Sequence, residues 1–417
     1  MREMKDSGQI WIGDIPQGWS LARIGSLYSL RNQKVSDEDY PPLSVTNKGI
    51  LPQLETAAKT NAHDDRKLVC VGDFAINSRS DRRGSCGISS LQGSVSLINT
   101  VLSPNNEMNA KYYDWLFHTI QFGDEFYRWG HGIVDDLWST GWQDMKKIVI
   151  PQPSLDEQYR IAIFLDARCA EIDQILSDLQ AQIDTVSEYR NSVISEAVTH
   201  GIDISAHMKE SGTPWCPHIP KHWQTTNPKA LFFLRNQRAF PGERQLTASQ
   251  RHGIMYQDEF MELENQQVVT VEKDFSILKH VEPNDFVISM RSFQGGLEYS
   301  EVSGCISSAY VMLIPNMAKV YPPFWKWFFK SSKYINAIQS TTNLVRDGQA
   351  MRYANFVMVP LFIIPMDEQR HIAEYLNDKV SQIDAVLADK RAQLSTLEEY
   401  KKSLIFEYVT GKKEVPA

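Results

Sequence analysis

The sequence predicts an α+β protein built as two similar globular domains, each followed by one long helix, with the two helices paired antiparallel as a coiled coil. Three observations carry this reading. The stretch from Asp156 to Thr199 recurs from Asp367 to Thr410 without insertion or deletion, and 20 of its 44 positions are identical. Both copies lack Pro and Gly and are rich in strong helix formers. The segments before them mix alternating runs of Val, Ile and Phe with helical stretches, and share landmarks at fixed offsets.

In the first helix the apolar residues Leu165, Ile172, Leu176, Leu179, Ile183, Val186 and Val193 return mostly at steps of three and four; in the second they are Leu376, Ile383, Leu387, Leu394, Leu397 and Leu404. A stripe of about two residues in seven suits a coiled-coil seam better than one wall of a globular core. Each helix therefore needs a long partner, and the other copy supplies one. Asp, Glu and Gln open both copies, where the helix dipole favours acid. At 1.5 Å per residue, such a helix spans about 65 Å.

The doubling extends into the globular segments. Ser7, Gly8, Trp11, Ile15, Pro16 and Trp19 recur 204 residues later as Ser211, Gly212, Trp215, Ile219, Pro220 and Trp223, and LRNQ occurs at Leu30 to Gln33 and again at Leu234 to Gln237. At an offset of 212, GDFAINSRS (Gly72 to Ser80) faces NDFVISMRS (Asn284 to Ser292). Gly72 and Asn284 both tolerate a positive φ, so a turn is expected at each. Taken alone, the Trp and Pro landmarks read as aromatics buried where the chain docks onto its domain. YYDWLFHTIQ and PPFWKWFFKSSKYINAIQ read as helical, the second opening on Pro322 and Pro323. KKIVIPQP and VPLFIIP read as last strands ended by proline. The expected boundaries are a first globular domain at 1–152, a spacer helix at 153–206, a second globular domain at 207–364 and a second spacer helix at 365–417.

The net charge is −8, but it is unevenly spread. Residues 1–155 carry 16 basic and 18 acidic side chains and residues 207–366 carry 16 and 13, whereas residues 156–206 carry 3 and 10. The globular segments can thus present basic faces, and the acid belongs mainly to the first helix. The five cysteines are scattered singly, which argues against a disulfide framework or a zinc ribbon. No run approaches a membrane span, and MREMKDSGQIW has no apolar signal core; a soluble cytoplasmic chain is expected.

Candidate contact residues fall in three pairs of loops. RSDRRGSCG carries Arg79, Ser80, Arg82 and Arg83, and its counterpart RSFQGG carries Arg291, Ser292 and Gln294. TNKGI places Asn47 and Lys48 before a glycine, as SQRHGI places Gln250 and Arg251. LWSTGWQD faces NLVRDGQAMR, which holds Arg346 and Gln349. Arg and Gln can pair bidentately with guanine and adenine edges, so these loops suit DNA contact; solvated loop charge is the plainer alternative for each.

Motifs for independent chemistry are missing. There is no GxxxxGK[ST] loop, no GxGxxG after a strand and no HExxH spacing. Asn227-Pro228 lacks the second proline and aromatic residue of an adenine-methyltransferase motif and reads as a turn. Asp144-Met145-Lys146 has a nuclease-like spacing without a second carboxylate on a preceding strand, and reads as a solvated helix face. No catalytic residue, metal or cofactor is expected.

Together, the SGxxW…IPxxW openings at Ser7 to Trp19 and Ser211 to Trp223, the two DFxI strands, the P…EQxxIAxxL helix starts at Pro153 and Pro365, and the ID…EY[RK]xSxIxE pattern in both helices resemble the specificity subunit of type I restriction-modification systems. In the second half Pro217 stands where the family usually has Gly. The resemblance covers nearly the whole chain. It implies two target recognition domains held apart by an antiparallel coiled coil about a pseudo-twofold axis, each reading one half of a bipartite double-stranded DNA site from the major groove. It further implies partners: two DNA adenine methyltransferase (modification) subunits, and motor-nuclease (restriction) subunits that join them and carry the chemistry. A coiled-coil scaffold without DNA preference is the alternative.

Overall fold

Proline and strand alternation close each globular region as the sequence predicts. Val149–Gln152 pairs antiparallel with Ser20–Arg23, placing Ile150 opposite Ala22. Leu361–Ile363 pairs in the same sense with Gln224–Thr226, placing Phe362 opposite Thr225. The end of each region thus lies beside its start, and the chain then enters a long helix, Leu155–His200 or Met366–Val409. The computed structural model describes residues 2–53, 63–79, 82–132, 138–268, 277–289, 295–341 and 351–416. It divides into two compact units, Met1–Gln180 with Ala392–Ala417, and Ala181–Arg391. The division crosses both long helices, so each unit holds one globular region and part of each helix.

The two units repeat one sheet plan. In the first, an antiparallel sheet runs Cys86–Ile88, Phe74–Asn77, Asn99–Pro104, Tyr28–Leu30. In the second the order is Glu298–Tyr299, Phe286–Ile288, Val311–Pro315, Phe232–Arg235. Gly72 and Asn284 turn the chain into the second strand of each sheet at φ of 88° and 77°, the left-handed region expected of both. A separate hairpin follows the same plan: Leu43–Thr46 with Gly49–Pro52, and Leu246–Ser249 with Gly253–Tyr256.

Each stretch that reads as helical forms two short helices. Ala110–Phe117 is followed by Ile120–Arg128, and Pro322–Phe328 by Ser332–Gln339. The break comes from a cap: Thr119 accepts a hydrogen bond from the Phe122 N–H, and Ser331 accepts one from the Tyr334 N–H.

Each unit also has two cores. The larger joins aromatic residues of the sheet and of the paired helices to the long helices. In the first unit Tyr28, Phe74, Tyr112, Phe117 and Phe122 join Ile161, Leu165, Ile172, Leu404 and Val409. In the second, Phe232, Phe286, Trp325, Phe328 and Phe329 join Ile194, Val198, Ile372 and Leu376. Burying each such side chain contributes about 1.5 to 3 kcal/mol. The smaller core lies by the hairpin and matches position for position: Leu43, Ile50, Val69, Ala75, Val95 and Val101 against Leu246, Ile254, Val281, Val287, Ile306 and Met312.

The helical seam is the predicted one. Leu165, Ile172, Ile183, Leu376, Ile383, Leu387 and Leu404 are buried, and the remaining stripe positions are half-buried. Within each unit the helices run antiparallel: Phe164 stacks near Tyr408 and Lys401 bonds Asp173 at 2.5 Å in the first, and Arg190 bonds Asp384 at 2.7 and 3.2 Å in the second.

Candidate nucleic-acid interface

The landmarks that recur in both halves form the frame beneath the candidate loops. Arg31 of the first LRNQ donates two hydrogen bonds to Asp73, at 2.6 and 3.0 Å, and Arg235 of the second donates two to Asp285, also at 2.6 and 3.0 Å. Both carboxylates are buried and also accept from the turn behind them, Asp73 from the Cys70 N–H at 2.7 Å and Asp285 from the Glu282 N–H at 2.9 Å. Burial raises the Asp285 carboxyl above its ordinary range, against the lowering effect of Arg235. Each pair therefore fixes the turn at which the strand towards Arg79, or towards residue 291, begins.

The Glu-Gln doublet at each helix start fastens the helix to its domain. Trp19 Nε1 donates to Glu157 at 2.7 Å and Trp223 Nε1 to Glu368 at 3.0 Å. Gln158 accepts from the Asn109 N–H at 2.9 Å; Gln369 accepts from the Tyr321 N–H at 2.8 Å and from Trp325 Nε1 at 3.0 Å. The tryptophan landmarks thus serve docking, and the acid of the helix start has a specific partner as well as the dipole.

On this frame the first unit gathers its three candidate loops. Asn47 and Lys48 are exposed at the tip of the first hairpin, where Thr46 Oγ1 accepts from the Lys48 N–H at 3.1 Å. The hairpin crosses the end of the arginine loop so closely that a Cβ on Gly87 would stand 2.8 Å from Gly49 Cα. The LWSTGWQD loop is stitched to the same place by the Thr140 N–H, which donates to Ser78 O at 3.0 Å, and by a bridge between Ser139 and Arg79. Arg79 is exposed, and its guanidinium makes no hydrogen bond or ion pair among the described residues. Arg82 is exposed on the same loop. Arg83 is committed differently: it lies over Tyr127 at 3.8 Å and reaches Asp124 at 3.4 Å. Ser80 lies outside the described residues.

In the second unit the described part of the interface is the hairpin tip. Gln250 lies over Gly295, where a Cβ would be 2.8 Å from its Cδ. Arg251 is 80% exposed in its side chain, with Glu264 at 3.6 Å. A cavity of about 390 Å³ opens beside them, walled by Tyr299, Lys326, Trp327 and Lys330. Glu298, buried on that wall, accepts from Lys330 at 2.6 Å, and burial pushes its carboxyl up. Arg291, Ser292, Gln294, Arg346 and Gln349 lie outside the described residues.

Sequence reasoning does not reach Tyr127 and Trp138, which floor the first arginine loop with ring centroids 5.6 Å apart. Trp138 sits in a stretch already read as a contact loop, so its place was accessible; Tyr127 gives no local signal. The frame residues do give one, because Arg31, Asp73, Glu157 and Gln158 all recur.

Among solved structures, one chain described under "Structural basis underlying complex assembly and conformational transition of the type I R-M system" matches with a TM-score of 0.71 at 13% identity, covering 96% of this chain and 99% of the other. The HsdS subunit from Thermoanaerobacter tengcongensis matches with a TM-score of 0.50 at 15% identity, covering 96% and 98%. The chain has the HsdS fold. No family model and no curated protein matches it. No helix among the described residues is long and apolar enough to cross a membrane.

Proposed function

We propose that this chain is the non-catalytic, sequence-specific DNA-binding subunit of a type I restriction-modification complex. Each globular domain, 1–152 and 207–364, reads one half of a bipartite site in double-stranded DNA, and the helices at 153–206 and 365–417 set the gap and dock two modification subunits. Methylation and cleavage belong to those subunits and to the restriction subunits, in the cytoplasm. The observation that carries this reading is one frame bearing two different sets of exposed polar and basic side chains: Asn47, Lys48, Arg79 and Arg82 in one unit, Gln250 and Arg251 in the other. A scaffold needs the helices but leaves Arg79 and Arg251 idle. Side chains of this kind distinguish base edges in the major groove, and two readers of unlike composition require two unlike half-sites.

Exchanging residues 20–150 for the same segment of a relative tests this. The site recognised by the assembled complex should change in one half and keep the other; loss of preference in both halves contradicts the reading. Arg79→Ala should cost about 1 to 3 kcal/mol of discrimination and relax choice at one base position. An equal loss on every sequence would place Arg79 on a phosphate instead.

A further inference from the structure

Two of the candidate loops of the first unit are held by one helix end, the last turn of Ile120–Arg128 and the two residues after it. The Tyr127 ring lies under Arg83, whose Cζ stands 3.8 Å from the ring centroid and whose Nη1 donates to Asp124, one turn back on the same helix, at 3.4 Å. The Tyr127 carbonyl accepts from Trp138 Nε1 at 3.0 Å, and the Phe126 carbonyl accepts from Thr140 Oγ1 at 2.7 Å. Gly130 closes against the indole, since a Cβ there would run into Trp138 Nε1. The arginine loop is itself a closed turn: the Ser85 N–H donates to Arg82 O at 3.1 Å, and Ser85 O accepts from the Asn77 N–H at 2.9 Å, at the root of the strand end that carries Arg79. The second unit has the helix without the device. Ser331 caps Ser332–Gln339 as Thr119 caps Ile120–Arg128, so at the same offset of 212 Gln339 stands in place of Tyr127 and Asn336 in place of Asp124. Neither offers a guanidinium a ring face or a carboxylate.

We propose that Tyr127 is a specificity-determining positioning residue of the first unit, acting through Arg83 to fix the turn from which Arg79 projects. A guanidinium over an aromatic face is attracted by the ring quadrupole, and its flat fork takes one orientation there. Arg83 is thereby spent as a strut. The turn that contains it is ordered before any ligand arrives, and a loop ordered in advance loses less freedom on binding. Trp138 ties the second loop to the same carbonyl, so the two loops keep a fixed relation to each other. Selection in the first half then depends on residues 126–130, which lie in neither loop. Moving the arginine loop alone into another scaffold would move the contact side chains without the platform that aims them. The second unit orders its loop by other contacts, so a change at Tyr127 leaves it untouched. The consequence for DNA rests on the function proposed above; the clamp itself does not.

Hydrogen exchange of the full chain without DNA tests the clamp, read as amide protection across 82–88. Protection should fall several-fold in Tyr127→Leu and be retained in Tyr127→Phe, which keeps the ring face. Equal protection in all three chains overturns the clamp, and equal loss in both variants overturns the role of the ring. Discrimination by the assembled complex then tests the consequence. Tyr127→Leu should weaken selection in one half-site about threefold to tenfold and leave the other unchanged. Arg83→Ala should do the same, and the double variant should be no worse than either single one, because the two residues act as one unit. Losses that add overturn the positioning role and make Arg83 an independent contact. Gly130→Ala, which displaces the indole and leaves both loop sequences intact, should relax the same half-site; unchanged selection there overturns the part given to Trp138. A clamp that loosens while selection at both half-sites holds overturns the proposed role in reading.

Discussion

Arg31 grips Asp73 and Arg235 grips Asp285 at the same pair of distances, 2.6 and 3.0 Å, and the six-residue cores by the two hairpins correspond one to one. A few ångströms further out the correspondence stops. Gly87, opposite Ala75 in the first sheet, lets the hairpin close onto the strand; Glu298, opposite Val287 in the second, carries a buried carboxylate facing Lys330. The hairpin tips hold Asn47 and Lys48 in one unit and Gln250 and Arg251 in the other. Where the chain repeats itself, side chains hold backbone to backbone. At the hairpin tips, where it does not, they face outward.

The sharpest way to break this comparison is to remove a frame carboxylate. Asp73→Ala or Asp285→Ala removes the buried acceptor of a half-buried guanidinium and of the turn N–H behind it, and should cost about 3 to 5 kcal/mol in its own unit. Hydrogen exchange should show lost protection in Phe74–Asn77 for the first and in Phe286–Ile288 for the second; an effect under about 1 kcal/mol in either would show that the pairs are not equivalent. Gly87→Ala comes next, because its Cβ would meet Gly49 Cα at 2.8 Å. Overpacking of this kind costs about 1 to 3 kcal/mol, measurable as a lowered urea midpoint. Glu298 sharpens the contrast through pH. Burial lifts its carboxyl in the folded chain, so its contribution to stability is fully present below the unfolded value of about 4.3 and is lost as pH rises through the folded value. The stability of Glu298→Gln relative to the wild-type chain should therefore rise as pH climbs above about 4; a constant difference refutes the buried-charge account. The smallest effect belongs to Arg190→Ala, which removes a surface pair with Asp384 and should cost about 0.2 to 1 kcal/mol.

Much of the fold is legible in the sequence because repetition and periodicity are physical signals. A 44-residue run without Pro or Gly and with a two-in-seven apolar stripe specifies a long helix with a long partner. The turn at Gly72 and Asn284 is legible because both residue types accept a positive φ. The breaks at Thr119 and Ser331 are not, since a single cap oxygen decides each. In the candidate site, residue type and loop position can be read, but not commitment: nothing local to Arg83 announces that Tyr127 and Asp124 hold it, or that Arg79 stays free of them. That distinction arises from packing between distant segments.

The measurement that tests the central claim most directly is genome-wide mapping of modified adenines in cells carrying this chain with its candidate methyltransferase. Two unlike half-sites at a fixed gap, lost when this chain is deleted, is the result expected of two readers on one frame. A continuous motif, or none that depends on this chain, would contradict it.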